Sequence, residues 1–218
     1  MFDSCTALIT FNSDLSSLKS AASMFRGCTN LIEFYSDLSS LTSANSMFEG
    51  CSSLTTFTSD LSSLQAAVDM FSNCTSLTTF TSDLSSLTSV SAMFYNCSSL
   101  TTFTSDLSSL TNGGYMFRSC TALTTFNSDL SSLQAAVDMF RDCTNLTTFT
   151  SDLRNLRDAG TLDNGGMFAG CSKLTTFKSN LSLLQYGLGM FKECSLNTES
   201  IACIAETIQD VNHLTSNT

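Results

Sequence analysis

Apolar and polar positions repeat along this chain on a fixed period of 23 residues. Met-Phe pairs begin at Met1, Met24, Met47, Met70, Met93, Met116, Met139, Met167 and Met190, a step of 23 taken six times, then 28, then 23. A Cys follows each Met by four residues. In the first eight units a Leu follows three later, and a Phe three after that, from Phe11 to Phe177. A residue type held to one register of a repeat stacks on itself in space, so the pattern predicts a solenoid whose coils pack only on their neighbours. The coil Met93 to Tyr115 illustrates the expected elements. Met93, Phe94, Cys97 and Leu100 have the spacing of a helical segment of one to two turns. Thr101 to Thr104 reads as a short strand with Phe103 inward and Thr102 and Thr104 outward. Asp106 sets a turn, Leu107 and Leu110 return to the core, and Thr111 to Tyr115 is expected to be the loop closing the coil.

The period breaks at the C-terminus. Leu196 comes one residue early, and Asn197-Thr198-Glu199 offers a helix N-cap with an acid in the first turn. Ile201, Ile204, Ala205, Ile208 and Val211 then form one apolar stripe at helical spacing, as expected of a helix laid over an open solenoid end. The division is therefore a solenoid of about nine coils over residues 1–196 and a capping helix with a tail over 197–218. At the other end Phe2, Cys5, Leu8 and Phe11 are in register from the start. An uncapped first coil is expected there, able to make end-to-end contacts or to follow further chain.

Composition narrows the partners. With 9 basic against 19 acidic side chains the net charge is −10, which disfavours nucleic acid and anionic membranes, both bound chiefly through Lys and Arg. No apolar run approaches the ~20 residues of a membrane span. Proline is absent altogether.

Four columns carry candidate chemistry. The cysteines have neither Cys-x-x-Cys spacing nor a nearby histidine, since the only one is His213, so they read as buried unbridged thiols and no metal site is expected. Their reduced state suits a reducing or anaerobic setting. The acids Asp14, Asp37, Asp60, Asp83, Asp106, Asp129 and Asp152 leave two readings open, a turn cap in every coil or calcium bridging between coils. The outward pairs Thr56/Thr58, Thr79/Thr81, Thr102/Thr104 and Thr148/Thr150 form a hydroxyl and methyl array that is a candidate partner-binding face. Finally, the seventh unit carries five extra residues between Leu156 and Met167, where Arg154, Arg157, Asp158 and Asp163 gather. Arg154 and Arg157 are the candidate partner contacts. No catalytic residue and no cofactor site is expected.

The motif Phe94-Tyr95-Asn96-Cys97-Ser98-Ser99-Leu100-Thr101-Thr102-Phe103, repeated along residues 1 to about 194, resembles the BspA-type leucine-rich repeat. The resemblance implies a curved right-handed solenoid with a parallel sheet on its concave side. It also implies a role in binding macromolecules, since such repeats occur in bacterial surface adhesins, protist surface proteins and some phage-encoded proteins. Met before the Phe, where the family more often has Ala, and Ser-Asp after the strand, where it often has Pro, depart from the pattern. The fold class expected is thus a leucine-rich-repeat-like superhelix with short parallel strands, short helical segments and a C-terminal capping helix. The leading functional reading is a non-enzymatic recognition or adhesion module of a bacterial surface or phage tail-associated protein, facing a protein or glycan surface. The rivals are an architectural spacer and an ice-binding surface. The loops vary more than the strands, which a spacer would not need, although Gln65 to Phe71 recurs identically at Gln134 to Phe140.

Overall fold

The computed structural model describes residues 1–160 and 165–208. Thirteen short strands follow one another: β1 (Thr10–Phe11), β2 (Ser20–Ala22), β3 (Glu33–Phe34), β4 (Ser43–Asn45), β5 (Thr56–Phe57), β6 (Ala66–Val68), β7 (Thr79–Phe80), β8 (Ser89–Ser91), β9 (Thr102–Phe103), β10 (Asn112–Gly114), β11 (Thr125–Phe126), β12 (Thr148–Phe149) and β13 (Thr176–Phe177). One helix, α1 (Thr198–Thr207), ends the series. All strand pairs are parallel and join residues one period apart, such as Phe57 with Phe80 and Ala67 with Val90. The chain is therefore a solenoid of stacked coils, as its period requires.

Two expectations are corrected. The segment expected to close each coil as a loop is itself a strand: β2, β4, β6, β8 and β10 form a continuous five-stranded sheet. Single bridges carry it on from Asn112 to Ala135, Asp158 and Tyr186. The Thr-Phe strands instead break into sheets of two, three and three strands. The longest sheet thus lies opposite the assignment made from propensity. Its inward residue is small in every coil (Ala21, Ala44, Ala67, Val90, Gly113, Ala136, Ala159), and outward neighbours alternate with it.

The second correction concerns the Met-Phe-x-x-Cys stretch, which is a turn and not a helical segment. The residue before each Cys has a positive φ, from 56° at Asn96 to 78° at Gly170, which ends a right-handed helix after one turn. The amides that a helix would use internally pair between coils instead: Phe25 N–H donates to the Met47 carbonyl and Gly27 N–H to Glu49, at 2.8 and 2.7 Å. The same cross-coil pairing gives the missing prolines a cause. With backbone amides committed to the neighbouring coil at the corners and in the strands, a proline would delete a ladder bond.

The core is a set of columns. Met47, Phe48, Cys51, Leu54, Phe57, Leu61 and Leu64 are fully or almost fully buried, and their equivalents repeat this through the coil that ends at Leu156, while Leu184, Phe191 and Cys194 near the C-terminal end are half-buried. The two Phe columns interleave. Phe94 stacks on Phe71 and Phe117 at 5.5 Å each, while Phe103 meets Phe117 edge-on at 4.7 Å. Offset stacking within a column and edge contacts between columns satisfy the ring quadrupoles together.

Asn197 caps α1 as expected, its side chain accepting from Ser200 N–H, with Glu199 in the first turn. The stripe is narrower than expected: Ile208 is buried and Ile204 half-buried against the core, but Ile201 is 55% exposed. Val211 and His213 lie outside the described residues. Ser200 makes the main polar closure. Its hydroxyl accepts from Phe177 N–H at 2.8 Å and donates to the Thr175 carbonyl at 3.2 Å, occupying the edge of β13 that a further coil would take.

Candidate recognition surfaces

The cysteine column belongs to the core. All ten cysteines are free, and those from Cys28 to Cys171 are buried. Each thiol from Cys28 to Cys194 donates to the carbonyl of a Phe in the preceding coil, as Cys97 does to Phe71 at 3.1 Å and Cys171 to Phe140 at 3.0 Å. Burial pushes these thiols up, Cys51 to about 12, and Cys74, Cys97, Cys120, Cys143 and Cys171 further still. Such thiols are poor nucleophiles and poor metal ligands.

The acidic column caps turns. Asp37, Asp60, Asp83, Asp106 and Asp129 each accept the amide two residues on at 2.8 Å through Oδ1, and Asn180 does the same for Ser182. Hydrogen bonds from Ser39 hold the Asp37 carboxyl below the ordinary value, and Asp14 behaves alike through Ser16. Among the described residues no group of three or more His, Cys, Asp or Glu side chains is placed to hold a metal ion.

The threonine face is built by strand register. Thr56, Thr79 and Thr102 are direct neighbours across β5, β7 and β9, and Thr148 sits between Thr125 and Thr176 on the separate β11-β12-β13 sheet. Thr58, Thr81, Thr104 and Thr150 are exposed beside them. The preceding threonines are structural, since Thr78 donates to the Thr55 carbonyl at 3.2 Å and Thr101 to Thr78 at 3.1 Å. No such bond ties the hydroxyls of the eight candidate threonines among the described residues.

The two arginines part company. Arg154 is exposed and pairs with Asp152, whose carboxyl it lowers, and it lines a hollow of about 450 Å³ together with Thr150, Asn127 and Asp129. Arg157 lies at the edge of the other sheet, where its backbone pairs with Gln134 and Gln185. Asp158 is on that second sheet, and Asp163 lies outside the described residues. The anticipated charge cluster is thus divided between two faces.

A second surface was not anticipated. The outward face of the five-stranded sheet holds a shallow groove of about 490 Å³, running from Val68 across Ser91 and Gly114 to Val137 and Asp158, with Tyr115 at its wall. The signal for it was the small residue three positions before most Met residues, which marks an inward strand position in what otherwise reads as a loop.

The sequence profile of the BspA type leucine-rich repeat region matches residues 1–101, 44–162 and 94–212 in overlapping blocks of six copies. No curated protein sequence matches the chain. Among solved structures, a leucine-rich repeat protein from Bacteroides ovatus is similar with a TM-score of 0.58 and 26% identity over 81% of this chain. The match takes in 49% of that protein, so this chain spans about half its length. A leucine-rich cell surface protein from Faecalibacterium prausnitzii matches at a TM-score of 0.42 and 14% identity, over 96% of this chain and 65% of its own. An internalin from Listeria monocytogenes gives 0.28 and 15%, over 85% of this chain and 68% of its own. Stacked coils of parallel strands, the Phe and Cys columns and a profile match running nearly end to end make this chain a member of the BspA-type leucine-rich repeat family.

Proposed function

We propose that this solenoid is a non-catalytic recognition module of a bacterial surface or phage tail-associated protein, binding a macromolecular partner through its threonine face. The observation that carries the reading is the aligned set Thr56, Thr79 and Thr102 with Thr58, Thr81 and Thr104 beside it. These threonines are outward-facing, and no hydroxyl among them is tied to the backbone. A rigid array costs little entropy to present, which favours binding over a surface of mobile side chains. Thr148 extends the face on the neighbouring sheet, and Thr150 and Arg154 line the hollow beside it. Arg157 lies apart from this face and joins it only through a partner wide enough to wrap the coil edge. No described helix is long and apolar enough to cross a membrane. The first coil offers an end-to-end contact through half-buried Phe2 and Leu8 and exposed Ile9.

The test is flow cytometry of the fluorescently labelled chain on intact bacterial and epithelial cells. Wild-type staining that falls at least tenfold in the Thr81→Lys/Thr104→Lys variant supports the reading. Absence of staining on every cell type, or equal staining by the variant, refutes it. An architectural spacer would give the first of those failures. An ice-binding surface would show instead as thermal hysteresis that the same variant abolishes.

A further inference from the structure

The outward face of the five-stranded sheet is built of small, uncharged side chains. From Ser20 to Val137 its outward side chains are Ser, Ala, Asn, Val or Gly, with no charge among them, in a chain of net charge −10. The groove on this face is bracketed by two identical triplets, Ala66-Ala67-Val68 and Ala135-Ala136-Val137, three coils apart. At a spacing of ~4.8 Å per coil the two apolar ridges stand ~14 Å apart. Between them the floor drops to Ser91 and Gly114, with Asn112 beside it. Tyr115 forms a wall, held by the Arg118 guanidinium 5.9 Å from its ring centre. Asp158 closes one end. One of its oxygens accepts from Gly160 N–H, and the other has no protein partner among the described residues.

We propose that this groove binds a neutral oligosaccharide. Sugars combine apolar C–H patches with vicinal hydroxyls, and the groove offers both counterparts: Val68 and Val137 for the patches, and Ser91, Asn112, Tyr115 and the Asp158 carboxylate for the hydroxyls. A peptide is poorly served. The sheet face has no free backbone edge for strand addition, because the five strands exchange those groups with one another. It also lacks a deep pocket for an aromatic anchor, and its one charge, Asp158, sits at the end of the groove where it would repel an acidic segment. A volume of about 490 Å³ lies within the ~300–1,000 Å³ usual for small-ligand sites. The proposal does not depend on the threonine-face reading.

The full chain is titrated calorimetrically with cellohexaose, laminarihexaose and maltohexaose, and with hexagalacturonate as an anionic probe of equal length. The groove is then filled by Gly114→Leu. A Cβ at Gly114 meets only Asn112 Oδ1 and the Val137 carbonyl, both at 3.8 Å, and the same register holds Val68 and Ser91 in earlier coils, so the variant keeps its fold. Tyr115→Ala is the second variant, at a position where the preceding coil has Ala92 with a similar φ of 53°. Expected are binding of at least one neutral hexasaccharide, binding of the anionic one at least tenfold weaker, and at least a tenfold loss in either variant, with no change in Thr81→Lys/Thr104→Lys. Failure of all three neutral sugars to bind overturns the proposal, as does binding that survives both groove variants. Loss of sugar binding in the threonine variant alone would assign it to the other face.

Discussion

When the pH rises from about 8 to about 9.5, a thiol in the unfolded chain loses its proton, whereas Cys51, Cys74, Cys97, Cys120, Cys143 and Cys171 in the folded protein keep theirs. Each is held neutral by burial. Deprotonation would also turn an S–H donor into a thiolate beside the carbonyl it faces, at 3.1 Å in Cys51 and Cys97. The sign follows from the raised folded values: the stabilisation is complete below the unfolded value near 9.0 and is lost as pH climbs toward the folded values of about 12 and above. Between those two pH values the unfolded state gains about 0.8 kcal/mol per cysteine, or about 5 kcal/mol for six. That is comparable to the whole stability of many domains, ~5–15 kcal/mol. Urea unfolding followed by circular dichroism at both pH values measures it, and midpoints are the safer comparison because repeat arrays need not unfold in one step. Cys97→Ser, which keeps a donor for the Phe71 carbonyl, should reduce the pH slope by about one seventh, because Cys194, also pushed up to about 12, adds to the six. A loss below about 1.5 kcal/mol between the two pH values would refute the reasoning, because six neutral buried thiols could not then be present.

Phe103→Ala removes a ring held between Phe80 and Phe126, both at 5.9 Å, and should cost about 3–5 kcal/mol in denaturant titration. A cost under about 1 kcal/mol would place that ring outside the core. Ser119→Gly relieves a φ of 63° at a register where Gly27, Gly50 and Gly170 already stand, so the midpoint of thermal unfolding should rise, by about 0.5–1 kcal/mol in stability. Ser200→Ala leaves Phe177 N–H without its partner; amide exchange at Phe177 should quicken markedly while exchange at Phe103 stays unchanged.

The sequence showed the solenoid and its core because period and burial coincide: a Phe or Leu that returns every 23 residues has one place to go. It misplaced the larger sheet because the residues concerned are weak strand formers. Asn112-Gly113-Gly114 is turn chemistry by composition, yet its position in the stack gives it ladder partners on both sides, and the stack overrides the propensity. The helical reading of Met93 to Leu100 failed for a related reason. Spacings of four and seven describe a helix face and equally a tight turn whose amides bond outward, and only the positive φ at Asn96 separates the two. The threonine columns were legible residue by residue because alternation along a strand fixes their direction. The groove was not, because it arises from depth differences among small side chains in adjacent coils, which no single repeat displays.

The recurrence of Gln65 to Phe71 at Gln134 to Phe140 separates what a segment dictates from what its neighbours impose. Asp69 and Asp138 occupy the same register with φ of 52° and 55°, yet Asp69 is half-exposed and Asp138 is 1% exposed. The cover comes from the seventh coil: a Cβ at Gly165 would collide with the Asp138 carboxylate and the Arg141 guanidinium, so only glycine lies this close. Burial alone would drive the Asp138 carboxyl up, and Arg118 at 2.9 Å and Arg141 at 3.2 Å oppose it. Neither arginine has a counterpart beside Asp69, where the equivalent positions are Glu49 and Ser72. The longer coil and the two arginines therefore belong together, one burying the acid and the others compensating its charge. Replacing both, as Arg118→Met/Arg141→Met, should cost about 3–5 kcal/mol at neutral pH, because an uncompensated carboxylate is left buried. With the arginines gone, the carboxyl's raised value makes the penalty fall as pH drops and the group protonates, so much of the loss should be recovered near pH 4. Removing the acid itself at the first copy, Asp69→Asn, should be mildly stabilising at neutral pH, since burial and Glu49 already raise that carboxyl. A double-arginine variant whose loss is the same at both pH values would show that the arginines act only by packing over Tyr115 and the coil edge, and that Asp138 needs no compensation.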